Sequence, residues 1–321
     1  MRTKQEQNKV RRRLLYLWFP HFSIERHKRI EIDKRAKQDD FSGIIIIQDR
    51  AGRRVVIASC PLAFQMGVAV GLSLEDALAA CPSLLVFEAD LIADQLAIET
   101  LARWCGRYTP LVSIDKANKG LGNAGIWLDI TGCAHLFGGE ADLLNDIIAR
   151  LTAINWTAFG AISDTPGSAW AVARFSSGVT QLIAPGEQQA ALSELPLSAL
   201  RLPKNTVDDL SKVGLRKISQ LMLVPRAPLR ARFGKNIRLR LDQALGIEKE
   251  TVSPQTLHSP YLARLVLLEP ISNSETIKQI LGHLLPQVIE MLVTRSLGIR
   301  QLRLSLYKID GKVQGLSLIH I

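Results

Sequence analysis

Cysteine is scarce. The four in 321 residues, Cys60, Cys81, Cys105 and Cys133, are widely spaced, with no CxxC pair and no Cys/His cluster. That spacing argues against a zinc site or a disulfide framework, so all four read as small buried hydrophobes. Long apolar runs are also missing: the stretch 43–47 is only strand-sized, far short of the roughly 18 residues of a membrane span. The opening Met1-Arg2-Thr3-Lys4 leads into no apolar signal region, which predicts a soluble, cytoplasmic chain with no membrane partner. No P-loop, nucleophile elbow or HExxH occurs, and nothing repeats with a period of 20–50 residues. Acidic residues are the minority, 30 against 40 Lys and Arg, giving a formal charge of +10. Such an excess favours a polyanionic partner.

What is present points to a multidomain globular chain. Apolar residues reach 47% and charged residues 22%, enough to bury a core, and the length suits two or three domains. After the basic head Arg11-Arg12-Arg13, the run Leu14-Leu15-Tyr16-Leu17-Trp18-Phe19 reads as a fully buried strand. Two β-branched runs, 43–47 and 54–58, flank Asp49-Arg50-Ala51-Gly52 and predict a hairpin. Further strands are expected at 84–87, 126–130 and 157–162, with helices at 90–107, from Gly138-Gly139-Glu140 to 151, and from Asp164-Thr165-Pro166-Gly167 to 175. Residues 12–165 thus read as an α/β arrangement around one sheet, with a hairpin-bearing insertion near 31–79. Beyond Leu192 come short helices separated by Gly and Pro. The segment 201–245 holds eleven basic residues against three acidic. A Pro-closed linker, Thr251-Val252-Ser253-Pro254, precedes an expected strand at 263–268, a helix at 274–295 and an alternating strand at 300–307.

The clearest nucleic-acid signal is Leu210-Ser211-Lys212-Val213-Gly214-Leu215-Arg216-Lys217-Ile218. Two short helices meeting at Gly214 resemble a helix-hairpin-helix. Backbone N–H groups there would hold a phosphate, with Lys212, Arg216 and Lys217 beside them. Arg300, Arg303 and Tyr307 on the polar face of the late strand extend the candidate DNA-binding set. His135, beside Cys133 and Phe137, reads as a packed structural histidine. Asp115 and Asp129 would matter only in a convergent set of acids able to hold divalent metal.

Leu128-Asp129-Ile130-Thr131-Gly132-Cys133-Ala134-His135-Leu136-Phe137-Gly138-Gly139 resembles the signature of the ImuB branch of the Y-family DNA polymerases, related to DinB and UmuC. Leu17-Trp18-Phe19-Pro20, Met66-Gly67-Val68-Ala69-Val70-Gly71-Leu72, Cys81-Pro82 and Ala161-Ile162-Ser163-Asp164-Thr165-Pro166-Gly167 carry the likeness further. It implies a right-hand architecture of α/β class: palm at 12–30 and 80–165, fingers at 31–79, helix-hairpin-helix thumb at 166–250 and an incomplete little finger at 258–321. The chain stops where that last sheet would need more strands.

The resemblance also shows what has changed. Active members carry Asp-x-Asp-x-Phe-Phe at the end of the first palm strand; aligned on Phe22, those acids become Leu17 and Phe19. The second acidic motif, Ser-x-Asp-Glu, stands as Ser113-Ile114-Asp115-Lys116. The Tyr and Arg that hold an incoming triphosphate become Pro61 and Phe64, and Asp164-Thr165 replaces an Asn-Lys pair. The resemblance therefore implies a polymerase fold without polymerase chemistry, metal or cofactor. Its role would be an adaptor in SOS-induced mutagenic translesion synthesis and DNA repair. It would link an error-prone replicative-type polymerase and a RecA-like accessory protein to the sliding clamp. The rival reading is an active Mg-dependent lesion-bypass polymerase drawing ligands from Asp115, Asp129 or Glu25. Two clamp-like peptides, Gln220-Leu221-Met222-Leu223 and Gln301-Leu302-Arg303-Leu304, fall inside expected elements and read as chance.

Overall fold

The computed structural model describes residues 11–32, 43–118, 120–252, 261–267, 269–271, 273–294, 299, 301–307 and 313–319. The chain divides into two compact units, one through Leu257 and one from His258.

The first unit opens with β1 (Leu14–Phe19), α1 (Phe22–Ile32), β2 (Ile44–Arg50), β3 (Arg53–Ser59), α2 (Pro61–Gln65), α3 (Leu74–Ala80) and β4 (Leu85–Glu88). It continues with α4 (Leu91–Cys105), β5 (Val112–Ile114), β6 (Ala124–Asp129), α5 (Glu140–Ala153), β7 (Phe159–Ser163), α6 (Pro166–Phe175) and β8 (Thr180–Leu182). The helices α7 (Gln188–Ser193), α8 (Lys204–Lys212), α9 (Ile218–Leu223), α10 (Arg226–Phe233) and α11 (Lys235–Leu245) complete it. Local chemistry sets several starts. Ser73, Asp90 and Thr165 each accept a backbone N–H at the head of α3, α4 and α6, and Pro166 fills the first turn of α6. Cys60 does the same for α2 through its sulfur, a cap that the sequence reading missed.

The strands form two sheets rather than the expected one. The first runs β5-β6-β1-β7-β8, and the second runs β3-β2-β4. β4, read from sequence as part of the first sheet, pairs in parallel with β2, Ile44 opposite Leu85. A short apolar run carries no record of which sheet it joins, because its pairing is decided by the crossover through α2 and α3. The β2–β3 hairpin forms as expected, with Ala51 and Gly52 at positive φ in its two-residue turn.

β1 is the middle strand of the first sheet, antiparallel to both β6 and β7. Its burial on two sides explains a run with no polar alternation. Leu15, Leu17 and Phe19 join a core with α4 and α5; Tyr16 joins a second core with α6 and the helices that follow. A third core, built from the second sheet, α2 and α3, takes Ile24 from α1.

The second unit contains α12 (Ser274–Val293) and the antiparallel pair β9 (Gln301–Tyr307) and β10 (Val313–Ile319). The strand expected at 263–268 is absent from the described residues 263–267, which are irregular. Strand propensity is expressed only where a partner edge is available. Among the described residues, no helix is long and apolar enough to cross a membrane.

Leu17 is fully buried, and its side chain lies beside Gly160 and the Leu144 side chain. Leu17→Asp therefore buries a carboxylate with no partner and should cost about 3 kcal/mol or more. Thermal unfolding should fall by roughly 6 °C or more, at about 2–4 °C per kcal/mol. An unchanged melting temperature would show that this face of β1 is not a core.

Candidate functional site

Alternation along β1 decides which side chains can meet Asp115. Trp18 lies opposite Gly125 on β6, and the Asp115 backbone N–H donates to the Gly125 carbonyl at 2.9 Å, so the three share one row across the sheet. Leu17 and Phe19 project to the other face, where Phe19 meets the rings of Phe22 and Trp156 at 6.2 Å. They are therefore not the side chains that would have completed an acidic site with Asp115. That correction follows from the two-residue period of a strand, in which an alignment slipped by one reverses the face. Tyr16 and Trp18 occupy the relevant face.

Tyr16 crosses β6 above Gly125, where any Cβ would come within 2.1 Å of the phenolic oxygen. Glycine leaves room for the ring to reach Asp115. The Tyr16 hydroxyl donates to Asp115 Oδ2 at 2.8 Å, and Asn118 Nδ2 donates to the same oxygen at 3.0 Å. Oδ1 accepts the Ala117 N–H at 3.1 Å. Arg174 from α6 donates to Asn118 Oδ1 at 2.9 Å, and its guanidinium lies 4.9 Å from the Trp18 ring and 4.5 Å from that of Trp170. Lys116 is exposed beside this network. Burial, reinforced by the Asp115 charge, pushes the Tyr16 hydroxyl far above its ordinary pKa.

A pair of divalent cations does not fit this donor set. Asp115 already has three hydrogen-bond donors, an ammonium follows it in the chain, and the facing positions on β1 are aromatic. Among the described residues, no group of three or more His, Cys, Asp or Glu side chains is placed to hold a metal.

The other two acids of the rival reading have separate duties. Asp129 lies opposite Leu14, at the far end of β1 from Trp18. It pairs with Arg12 at 2.9 Å and accepts the Thr131 hydroxyl at 2.6 Å. Arg13 bridges Glu140 and Asp164, each at 2.6 Å. Burial opposes its charge, yet the two carboxylates hold its pKa above the ordinary value. Asp129, in the long motif from Leu128 to Gly139, and Glu140, just after it, thus anchor the start of β1. Glu25 accepts the Thr157 N–H at 3.0 Å, and burial raises its pKa. His135 is exposed rather than packed, and Cys133 is only half-buried, while Cys60, Cys81 and Cys105 are buried. The expectation of buried cysteines thus holds for three of them, although the Cys60 sulfur also accepts the hydrogen bond that caps α2.

The hairpin between α8 and α9 has the expected turn, with Gly214 at φ +85° and the Leu215 N–H donating to the Leu210 carbonyl at 3.0 Å. Its cations are less available than the sequence implies. Lys212 pairs with Asp209 at 2.8 Å and Lys217 with Glu194 at 2.6 Å; Arg216 is exposed and makes no ion pair with a described residue. The Arg216 and Lys217 backbone N–H groups, expected to face a phosphate, both donate to Gln220 Oε1. Both ion pairs are solvent-exposed, so they contribute little and exchange readily. In the clamp-like peptide at 220–223, Gln220 is thus used as a cap, and Leu221 is buried. In the second unit Tyr307 is exposed, with the Arg264 guanidinium 5.7 Å from its ring. Arg303 is a backbone position opposite Ser317, and Arg300 lies outside the described residues.

Tyr16→Phe removes one donor from Asp115 and should cost about 1–2 kcal/mol near neutral pH. The folded state holds the phenolic proton, while the unfolded chain releases it near pH ~10. This contribution is therefore complete below about pH 10 and is lost as the pH climbs beyond it. Urea unfolding at both pH values should show parent and variant converging on the alkaline side. A constant gap would mean that the hydroxyl titrates freely in the folded protein.

Comparison with known proteins bears on the fold that carries this site. Residues 38–174 match the family model described as "IMS: impB/mucB/samB family". The protein ImuB of Caulobacter vibrioides is 39% identical over 247 residues, covering 77% of this chain and 52% of the relative. DNA polymerase IV of Serratia proteamaculans is 29% identical over 239 residues, covering 72% of this chain and 65% of the relative. The chain thus spans about half to two thirds of the length of these curated relatives. Among solved structures, an insertion ternary complex of Dbh DNA polymerase superposes with TM-score 0.62 at 15% identity, covering 96% of this chain and 87% of that one. DinB from Sulfolobus solfataricus gives 0.59 at 15%, with the same coverage. The fold is that of the Y-family polymerases, with a mixed α/β, palm-type sheet. The chain is a homologue of ImuB and carries an impB/mucB/samB domain of the Y family.

Proposed function

We propose that this chain is a non-catalytic Y-family homologue that binds primer–template DNA through its backbone. It acts in the cytoplasm as an adaptor in SOS-induced mutagenic translesion synthesis and DNA repair, linking an error-prone polymerase and a RecA-like accessory protein to the sliding clamp. The observation that carries the loss of catalysis is the closed network on Asp115, with Tyr16 and Trp18 on the only face from which β1 could supply ligands. In this reading the first sheet with α4 and α5 is the palm, the second sheet through Ala89 the fingers, residues 166–250 the thumb, and the second unit the little finger. The DNA complexes among the structural neighbours support duplex binding, and the basic surplus of 201–245 supplies the charge.

Primer extension with Mg²⁺ or Mn²⁺ tests the loss of catalysis directly, and no templated addition is expected. Restoring acids on the correct face, Trp18→Asp with Lys116→Glu, should still give no efficient polymerase. Metal ligation alone does not position a nucleotide, and Pro61 and Phe64 stand where the resemblance expects triphosphate contacts. Turnover by the parent chain would overturn the adaptor reading.

DNA contact is tested by fluorescence anisotropy across a salt series. Replacing Lys212, Arg216 and Lys217 together by Ala should weaken primer–template binding and reduce the salt slope by up to about three phosphate contacts. Equal affinity and slope would make the hairpin a solvated turn.

A further inference from the structure

The second sheet carries an apolar cleft that the Asp115 network does not involve. Its space is about 780 Å³, walled by Val55 and Ile57 of β3, Phe64 of α2, Val70, and Leu121 from the loop before β6. Phe64 and Val70 are each 63% exposed, and Leu62 and Met66 of the same short segment are exposed as well. Four large apolar side chains open to solvent within nine residues form a patch of the kind that marks an interface.

Its surroundings specify the occupant. Arg50 lines the cleft, and Arg53 and Arg54 lie exposed on the same hairpin, making no ion pair with any described residue. An apolar, Phe-bearing centre with arginine at its rim is the composition of a protein-recognition surface. Asn123, also in the wall, has its amide oxygen buried with no hydrogen-bond donor among the described residues. Phe64 is the one large aromatic ring among the described lining residues, and Val55, Ile57, Val70 and Leu121 offer no stacking plane, so the wall suits aliphatic and aromatic side chains better than a run of bases. The edge of β3 is already engaged, since Val56 exchanges backbone hydrogen bonds with Gly71 and Leu72, so the occupant docks by side chains rather than by strand addition.

We propose that this cleft binds an acidic segment of a partner protein, seating two or three large apolar side chains between Phe64, Val70 and Leu121 while its carboxylates meet Arg50 and Arg53, which stand opposite each other on one face of the hairpin. The assignment gives the adaptor reading a physical docking face, yet it stands on the cleft alone and is separable from DNA binding.

A phage-displayed library of random 16-residue peptides, selected on the full chain, is the probe. The variants are Phe64→Ser with Val70→Ser, and Arg50→Glu with Arg53→Glu. All four side chains are exposed, so folding should be retained, as circular dichroism and primer–template affinity would show. Selected peptides should be rich in Asp and Glu and carry at least two large apolar residues. Their synthetic forms should bind each double variant at least tenfold more weakly than the parent and lose affinity as salt rises. Peptides without this composition, or with equal affinity for parent and variants, would overturn the proposal. So would displacement of the peptide by oligo-dT whose own affinity falls in the Phe64→Ser/Val70→Ser variant, because the cleft would then be a nucleic-acid site. Self-association of the parent that is abolished by that variant would reassign the face to a second copy of the chain. Loss of primer–template binding with peptide binding intact would instead remove the DNA reading and leave this one standing.

Discussion

The first unit depends on a single strand that is buried from both sides. β1 contributes Leu15, Leu17 and Phe19 to one core and Tyr16 to another, while β6 and β7 saturate its backbone. Any change in its register would exchange the contents of both cores at once, so the register is fixed by a large area of apolar burial. The ion pairs of Arg12 with Asp129 and of Arg13 with Glu140 and Asp164 then fix where the strand begins. Together these contacts account for the long motif after β6. Its acid Asp129, with Glu140 just beyond it, serves the start of β1 rather than a chemical step.

At the other end of the same strand, space and polarity are resolved differently. A glycine on β6 admits the Tyr16 ring, and the ring delivers a hydroxyl to the Asp115 carboxylate. Asn118 and Arg174 extend the network to α6, where the Arg174 guanidinium lies over the rings of both Trp18 and Trp170. Cation–π contacts of this partly buried kind contribute about 0.5–2 kcal/mol each. A carboxylate enclosed in this way is a structural link between sheet and helix. An acid alone on a polymerase-type sheet is thus not evidence of polymerase chemistry; its hydrogen-bond partners decide.

Much of this was legible in the amino-acid order. The apolar run of β1, the hairpin turn at Ala51-Gly52, the caps at Thr165 and Asp90, and the positive-φ Gly214 all follow from local chemistry that acts within a few residues. The family signature around Asp129 and the replacement of a carboxylate by Lys116 are equally local. What failed shares one cause. The assignment of 84–87 to the first sheet, the strand expected at 263–268, the packed His135 and the free phosphate-binding amides of Arg216 and Lys217 each depended on a partner distant in the chain or on competition for one hydrogen bond.

The sequence by itself determined the fold class, the central buried strand and the loss of acids, because side-chain type and period act without reference to distant contacts. Only the tertiary structure decided which face each residue of β1 serves. Leu17 and Phe19 are the degenerate positions by alignment, but the pleat turns them into the core and leaves Tyr16 and Trp18 beside Asp115. An alignment carries spacing and not direction, whereas direction arises when neighbouring strands pair and one face closes against helices.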